Sequence, residues 1–226
     1  MKLTFHGHSC IEIQLEDGTN LLIDPFISGN PMSDLTVEEV KTDVILITHG
    51  HSDHIGDMIP IAQRNQAKVI SIVEIVQFAE KQGVNGHGMN LGGKFTFDFG
   101  TVHFVPALHS SSYEYEGQTL YMGEPAGILL QAEGKTIYHA GDTALFTDMQ
   151  LLKQFYDIDI AFLPIGDNFT MGPKEAAVAA EYLGAKVVVP IHYNTFEVIK
   201  QDPELFSSSL KPGVGQVLTV GESIEL

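Results

Sequence analysis

The chain has 226 residues, 44% of them apolar, and 29 Asp and Glu against 12 Lys and Arg give a formal net charge of -17. That length fits one large α/β or all-β core, and the apolar share is that of an ordinary globular protein. The acidic balance repels polyanions and so argues against a nucleic-acid partner, although a bound cation can reverse the field locally and admit a small anion.

Along the chain, the N-terminal segment shows no long apolar run, so no secretory signal is expected. Ile11 to Gln14 alternates as a strand, Asp17-Gly18 turns the chain, and Leu21-Leu22-Ile23 follows. The single cysteine, Cys10, cannot form an internal disulfide; it fits a strand residue in a reducing cytosol. Val44 to Ile47 is a continuous apolar strand, suited to a core covered on both faces. A helix is expected from Gly56 to Gln66, a strand over Val69 to Ile72, and a helix from Glu74 to Gln82 closed by Gly83. Phe95 to Phe99 and Thr101 to Val105 form a hairpin about Gly100.

The second half repeats this style. Gly127 to Gln131 and Thr136 to His139 are strands separated by Glu133-Gly134. A helix follows near Asp148 to Tyr156, then a strand from Ile160 to Leu163. Pro173 opens a helix to about Leu183, and Val187 to Val189 is another buried strand. Short strands near Val217 and Ile224 end the pattern. Each half is β-rich first and alternating β/α later, which predicts an α+β fold, a four-layer αββα sandwich, in one domain of residues 1–226. No stretch reaches the ~20 apolar residues of a membrane helix, so the expected setting is cytoplasmic, without a membrane span.

The chemistry concentrates after the strand Val44 to Ile47, in His49-Gly50-His51-Ser52-Asp53-His54. Imidazole and carboxylate are the donors that suit zinc and related divalent ions. Spacing of two puts His49 and His51 on one side of an extended segment, while Asp53 and His54 reach a second point. Gly50 and Gly56 let the backbone bend. Four donors cannot complete two metal shells, and three further strand ends supply candidates: His109 after Thr101 to Val105, Asp142 after Thr136 to His139, and His192 after Val187 to Val189. Alone, each reads as a structural residue; beside the dense run, they read as ligands.

The segments "HGHSC", "LIDPF", "THGHSDHIGD", "HAGDT", "NFTMGP" and "IHYNTF" resemble the metallo-β-lactamase superfamily. They are most similar to a branch of small metal-dependent hydrolases, related to ascorbate-6-phosphate lactonases and N-acyl-phosphatidylethanolamine phospholipase D enzymes. The resemblance implies two divalent ions per chain; the His and Asp donors suit zinc first and also accept manganese, nickel or iron. It implies a first metal on His49, His51 and His109 and a second on Asp53, His54 and His192, with Asp142 bridging.

Two ions about 3.5–4 Å apart can share a hydroxide that attacks an ester, lactone, phosphodiester or similar bond in a small molecule. Asp53 and Asp142 are then the candidate catalytic carboxylates, Asp53 also orienting the nucleophile. Asp24 could hold a ligand histidine in one tautomer or simply begin a turn with Pro25. His8 could reach the rim of the site, although a structural histidine is the favoured reading; His87, His103 and His139 are given no role. The loop 168–173 could bind an anion or merely cap a helix, with Thr170 or Gly172 near the N-cap. Residues 110–124, with Tyr113, Tyr115 and Tyr121, could form a pocket wall or an ordinary hairpin. Rival functions are a nuclease or phosphodiesterase of the same fold, iron-based redox chemistry, and a non-enzymatic metal-binding protein. The short span from Asp142 to His192 leaves no room for an inserted nucleic-acid-binding domain. A homo-oligomer stays open.

Overall fold

Alternation of side chains along the strands decides what each face of the molecule buries. In a computed structural model that describes residues 1–226, the first half forms β1 (Lys2–Phe5), β2 (Ile11–Gln14), β3 (Asn20–Ile23) and β4 (Val44–Leu46). Helices α1 (Ser52–Ile55) and α2 (Met58–Asn65) lead to β5 (Lys68–Ile72), and α3 (Val73–Lys81) leads to β6 (Gly86–Met89). β1 to β3 pair antiparallel, and β3 to β6 parallel. Parallel neighbours need crossovers, which the helices between β4, β5 and β6 supply.

The second half begins with β7 (Lys94–Phe97) and β8 (Gly100–Pro106). A separate hairpin, β9 (Ser112–Tyr115) and β10 (Gln118–Tyr121), precedes β11 (Ala126–Ala132) and β12 (Lys135–His139). Then come α4 (Met149–Phe155), β13 (Ile160–Pro164), α5 (Pro173–Leu183), β14 (Val187–Ile191), α6 (Pro203–Ser209) and β15 (Ser223–Glu225). One sheet runs β15-β1-β2-β3-β4-β5-β6 and the other β14-β13-β12-β11-β8-β7.

The period of two sorts residues into three cores. Leu21, Ile23, Leu46 and Ile70 face Ile128, Leu130, Ile160 and Phe162 between the sheets. The alternate residues Leu22, Ile45 and Val69 pack outward against Ile61 and Ala62 of α2 and Val76 and Ala79 of α3. Leu129, Ala161 and Val188 meet Met149 of α4, Ala176 and Ala180 of α5 and Phe206 of α6. This is the αββα order, and each fully buried Leu or Ile contributes roughly 1.5–3 kcal/mol relative to exposure.

Several elements differ from the sequence expectation. No strand forms near Val217: Gly215 makes only an isolated bridge to Val188, and Leu218 is buried in the inter-sheet core. The run after His51 turns into α1, with Gly56 as its C-cap at φ 44°. There, a Cβ would lie 2.3 Å from the Pro25 carbonyl oxygen, so glycine is required. β6 carries no alternation of its own (Gly86-His87-Gly88-Met89) and exists through its parallel pairing with β5. Residues 110–124, by contrast, form the hairpin that is one of the two readings of the sequence, β9–β10, and its Tyr113 and Tyr115 pack edge-on against Phe78 of α3.

β3, β4, β8, β12 and β14 all point their carboxyl ends to the same edge of the sandwich. Asp24, the segment from His49 to His54, His109, Asp142 and His192 each lie just past one of these ends.

Candidate metal centre

The buried carboxylate of Asp24, at φ 47°, organises the first turn of the site. Its Oδ1 accepts the Thr48 backbone N–H at 2.9 Å, and its Oδ2 accepts the Thr48 hydroxyl at 2.6 Å. Oδ2 also lies 2.7 Å from His54 Nδ1, which must donate to it. Thr48 has one hydroxyl proton, and Asp24 takes it. The Thr48 oxygen is therefore the acceptor for His49 Nδ1, 3.0 Å away. Both imidazoles thus carry a proton on Nδ1 and turn Nε2 inward.

Around these two nitrogens the chain assembles two quartets. In the first, His51 Nδ1 lies 3.0 Å from His49 Nε2 and 3.2 Å from His109 Nε2. Asp142 Oδ2 completes it, 3.5 Å from His109 Nε2 and 3.9 Å from His49 Nε2. The second quartet joins Asp53, His54 and His192 with His8. Here Asp53 Oδ2 stands 3.1 Å from His8 Nε2 and 3.7 Å from His192 Nε2. Asp142 Oδ2 reaches this group too, at 3.0 Å from His192 Nε2 and 3.3 Å from His54 Nε2. Donors about 2.1 Å from a tetrahedral ion sit about 3.4 Å from one another, close to these spacings. Asp142 Oδ1, His54 Nε2 and both ring nitrogens of His192 are buried without a hydrogen-bond partner. Orphaned buried donor and acceptor atoms are costly, and divalent cations would satisfy the inward-facing Nε2 atoms of His54 and His192.

The electrostatics agree. Burial disfavours charge on His54, but Asp142 and Asp24 outweigh it and hold the imidazolium well above its usual range. Burial likewise opposes charge on His192, yet Asp142 and Asp53 push its pKa up to about 9. Burial alone would raise Asp142, but His192 and His54 hold it well below the usual carboxylate range. Asp53 is held low in the same way, against burial, by His192 and His8. Burial followed by repulsion from His54 pushes His49 well below its ordinary value. Two acids kept ionised in a buried basin draw positive charge, whether from protons or from metal ions.

Close packing fixes the loop. A Cβ on Gly50 would lie 2.2 Å from Met122 Cβ, and the Gly50 N–H donates to Ser111 Oγ at 3.0 Å. Thr143, next to Asp142, accepts the Leu108 N–H at 3.0 Å and so ties the Asp142 turn to the His109 turn. The site opens to solvent where the side chain of Asp53 is 27% exposed and that of His109 12%.

The β-lactamase superfamily domain matches residues 19–193, a span that contains every strand-end donor described above. The chain is 59% identical over 224 residues to the UPF0173 metal-dependent hydrolase of Enterococcus faecalis, covering 99% of both. It is equally identical, over 227 residues and 100% of both, to that of Anoxybacillus flavithermus. It belongs to this metal-dependent hydrolase family of the metallo-β-lactamase superfamily. Among solved structures, Igni18, a metallo hydrolase from Ignicoccus hospitalis, superposes with a TM-score of 0.89 at 39% identity, covering 99% of this chain and 97% of that one.

In this family setting the seven residues expected from the sequence as ligands all converge on one basin. Three others join them. His8, read from sequence as structural, is buried with its ring 4.1 Å from that of His192, centroid to centroid. Its carbonyl accepts the His192 N–H at 2.7 Å, a bond between segments far apart in sequence that no local pattern announces. Thr195 lies 2.9 Å from His8 Nδ1. His139 donates from Nε2 to the Ser9 carbonyl at 2.9 Å and accepts the Gly141 N–H on Nδ1 at 3.1 Å, so it clasps the His8 turn to the Asp142 turn. The 168–173 loop spends the N–H groups of Asn168, Thr170 and Met171 on its own turn and on Thr143, and Gly172 caps α5. These bonds match the helix-capping reading of the loop. No helix is long and apolar enough to cross a membrane.

Proposed function

We propose that residues 1–226 form one domain that holds two divalent ions and hydrolyses an ester, lactone, phosphodiester or similar bond in a small molecule. The first ion is assigned to His49, His51 and His109, the second to Asp53, His54 and His192, with Asp142 shared. The observation that carries this reading is the position of Asp142 Oδ2. It stands within 3.0–3.9 Å of four imidazole nitrogens, two from each quartet. The histidine-rich donor set favours zinc and also accommodates manganese, nickel or iron.

Ions bound there supply a water of lowered proton affinity and an electrophilic contact for the scissile carbonyl or phosphoryl oxygen. The chain's own residues do the rest. Asp142 and Asp53, both held ionised, offset the charge gathered in the basin. Asp53, at the mouth, accepts the hydrogen bond that orients the attacking water. Thr48 and Asp24 keep His49 and His54 in one tautomer, so neither ring turns away during turnover. Phe26 and the partly exposed Phe196 flank His8, at centroid distances of 5.5 and 5.7 Å, and offer an apolar wall to the substrate.

The net charge of -17 supports a small molecule over a nucleic acid. The test is a panel of esters, thioesters, lactones, lactams and phosphodiesters on metal-reconstituted protein. Hydrolysis should vanish on chelation and return with a divalent metal. Hydrolysis that persists in metal-free protein contradicts the reading.

A further inference from the structure

The seven strand-end residues give each metal position three donors of its own, three imidazoles at the first and two imidazoles with a carboxylate at the second, and Asp142 is shared. His8 adds a third imidazole beside the second position. One donor atom from each of His8, Asp53, His54 and His192 lies within 4.8 Å of the others, a quartet separate from His49, His51, His109 and Asp142, and His8 Nε2 and His192 Nε2 stand 3.1 and 3.7 Å from Asp53 Oδ2. We propose that His8, through Nε2, is a ligand of the second metal position. This rests on the two-metal reading above.

The hydrogen bonds around His8 leave room for a ligand as well as for a hydrogen-bond donor to Asp53. Thr195 is buried, and its hydroxyl has one proton and two neighbours: His8 Nδ1 at 2.9 Å and the Tyr193 carbonyl at 3.4 Å. When Thr195 gives its proton to Tyr193, His8 Nδ1–H donates to Thr195, and all three groups are satisfied. His8 Nε2 then carries a lone pair, 3.1 Å from the Asp53 carboxylate oxygen. Two acceptors at that separation repel unless a cation lies between them. The opposite assignment, with Nε2–H donating to Asp53, gives up only the long 3.4 Å contact of Thr195 with Tyr193 and suits the metal-free protein; a cation at Nε2 selects the first. The ligating arrangement also repeats what holds His49: a threonine hydroxyl accepts Nδ1–H, and Nε2 faces the basin.

The backbone is built to hold this pose. His8 and His192 are both non-glycine residues in the left-handed region, at φ 56° and 55°. The His192 N–H to His8 carbonyl bond, at 2.7 Å, locks the two strained turns together. Such strain persists only where the surrounding structure enforces it.

The experiment compares wild type, His8→Ala and His8→Gln in the full chain, stripped of metal and then titrated with Co(II) and Zn(II). Metals per chain, chelator-competition affinities and the Co(II) visible absorption bands are the readouts. Glutamine can donate a hydrogen bond to Asp53 but is a poor ligand for these ions, so it separates the two roles. Both variants should keep one tight ion and lose affinity for the second by more than the roughly 10–100-fold that removal of an outer partner costs. Their Co(II) bands should change when the second ion is added. A His8→Gln protein with two ions, wild-type affinities and wild-type bands overturns the assignment and leaves the two-metal reading intact. A wild-type protein that takes up only one ion overturns both. Should the alanine variant fail to fold, His8→Gln and ¹⁵N-histidine spectra of wild type still decide. The second equivalent of Zn(II) must shift His8 Nε2 while Nδ1 keeps its proton; an unshifted Nε2 contradicts the proposal.

Discussion

Asp24 Oδ2 accepts the Nδ1 proton of His54 at 2.7 Å, and both side chains are wholly buried. The same oxygen takes the Thr48 hydroxyl proton and thereby makes Thr48 the acceptor for His49. One carboxylate therefore orients a donor from each quartet. Asp24→Asn replaces one acceptor oxygen by an amide that cannot receive both protons. Metal affinity should fall roughly 10–100-fold at the second position, with a smaller loss at the first. Chelator-competition titration checks this; unchanged affinity at both positions would make Asp24 a turn residue only.

The charge state of His192 predicts that rising pH destabilises the metal-free protein and not the metal-loaded one. In the absence of metal its pKa is about 9, raised from 6.5 in spite of burial by Asp142 and Asp53. A raised histidine pKa contributes stability that is fully present below 6.5 and is lost as pH climbs through about 9. A ligating imidazole must be neutral, so metal affinity rises over the same window. The melting-temperature gap between metal-loaded and chelated protein should therefore widen from pH 6.5 to 9. Calorimetric titration in buffers of different ionisation enthalpy should show proton release that shrinks toward pH 9. A gap that narrows with pH contradicts the coupling.

Asp142→Ala should weaken both metal positions, because Asp142 Oδ2 approaches nitrogens of both quartets. His109→Ala should mainly empty the first. Bound ions stabilise the fold by mass action, so the Asp142 variant should melt below wild type in metal, with a smaller gap under chelator. Elemental analysis after identical reconstitution checks the pair. Two tightly held ions and full activity in the Asp142 variant would reduce Asp142 to a structural residue.

Gly50→Ala should damage the site without touching a donor. The added methyl would lie 2.2 Å from Met122 Cβ, a backbone-anchored atom that cannot swing away. Overpacking of this kind costs roughly 1–3 kcal/mol or more and displaces the segment between His49 and His51. A lower melting midpoint under chelator, together with weaker first-site affinity, is expected. Wild-type values for both would show that the loop has slack.

Particular residues show what was legible in the sequence. The alternating strand from Ile11 to Gln14 and the apolar strand from Ile160 to Leu163 announced themselves by local pattern, and both lie where that pattern put them. The run from His49 to His54 was dense enough to stand alone, and it lent meaning to His109, Asp142 and His192 at other strand ends. His8 was not legible, because its place depends on a backbone bond to His192 and a side-chain contact with Thr195, both set by tertiary folding. β6 escaped because two of its four residues are glycine and its pairing comes from β5. His139 looked like a strand histidine and is one, yet its ring clasps two turns of the site.

The central claim is a two-ion centre shared through Asp142. A crystal of the protein soaked with zinc, measured at the zinc absorption edge, tests it most directly. Two anomalous peaks should flank Asp142 Oδ2, one among His49, His51 and His109 and the other among His8, Asp53, His54 and His192. A single peak, or peaks away from Asp142, would contradict the account.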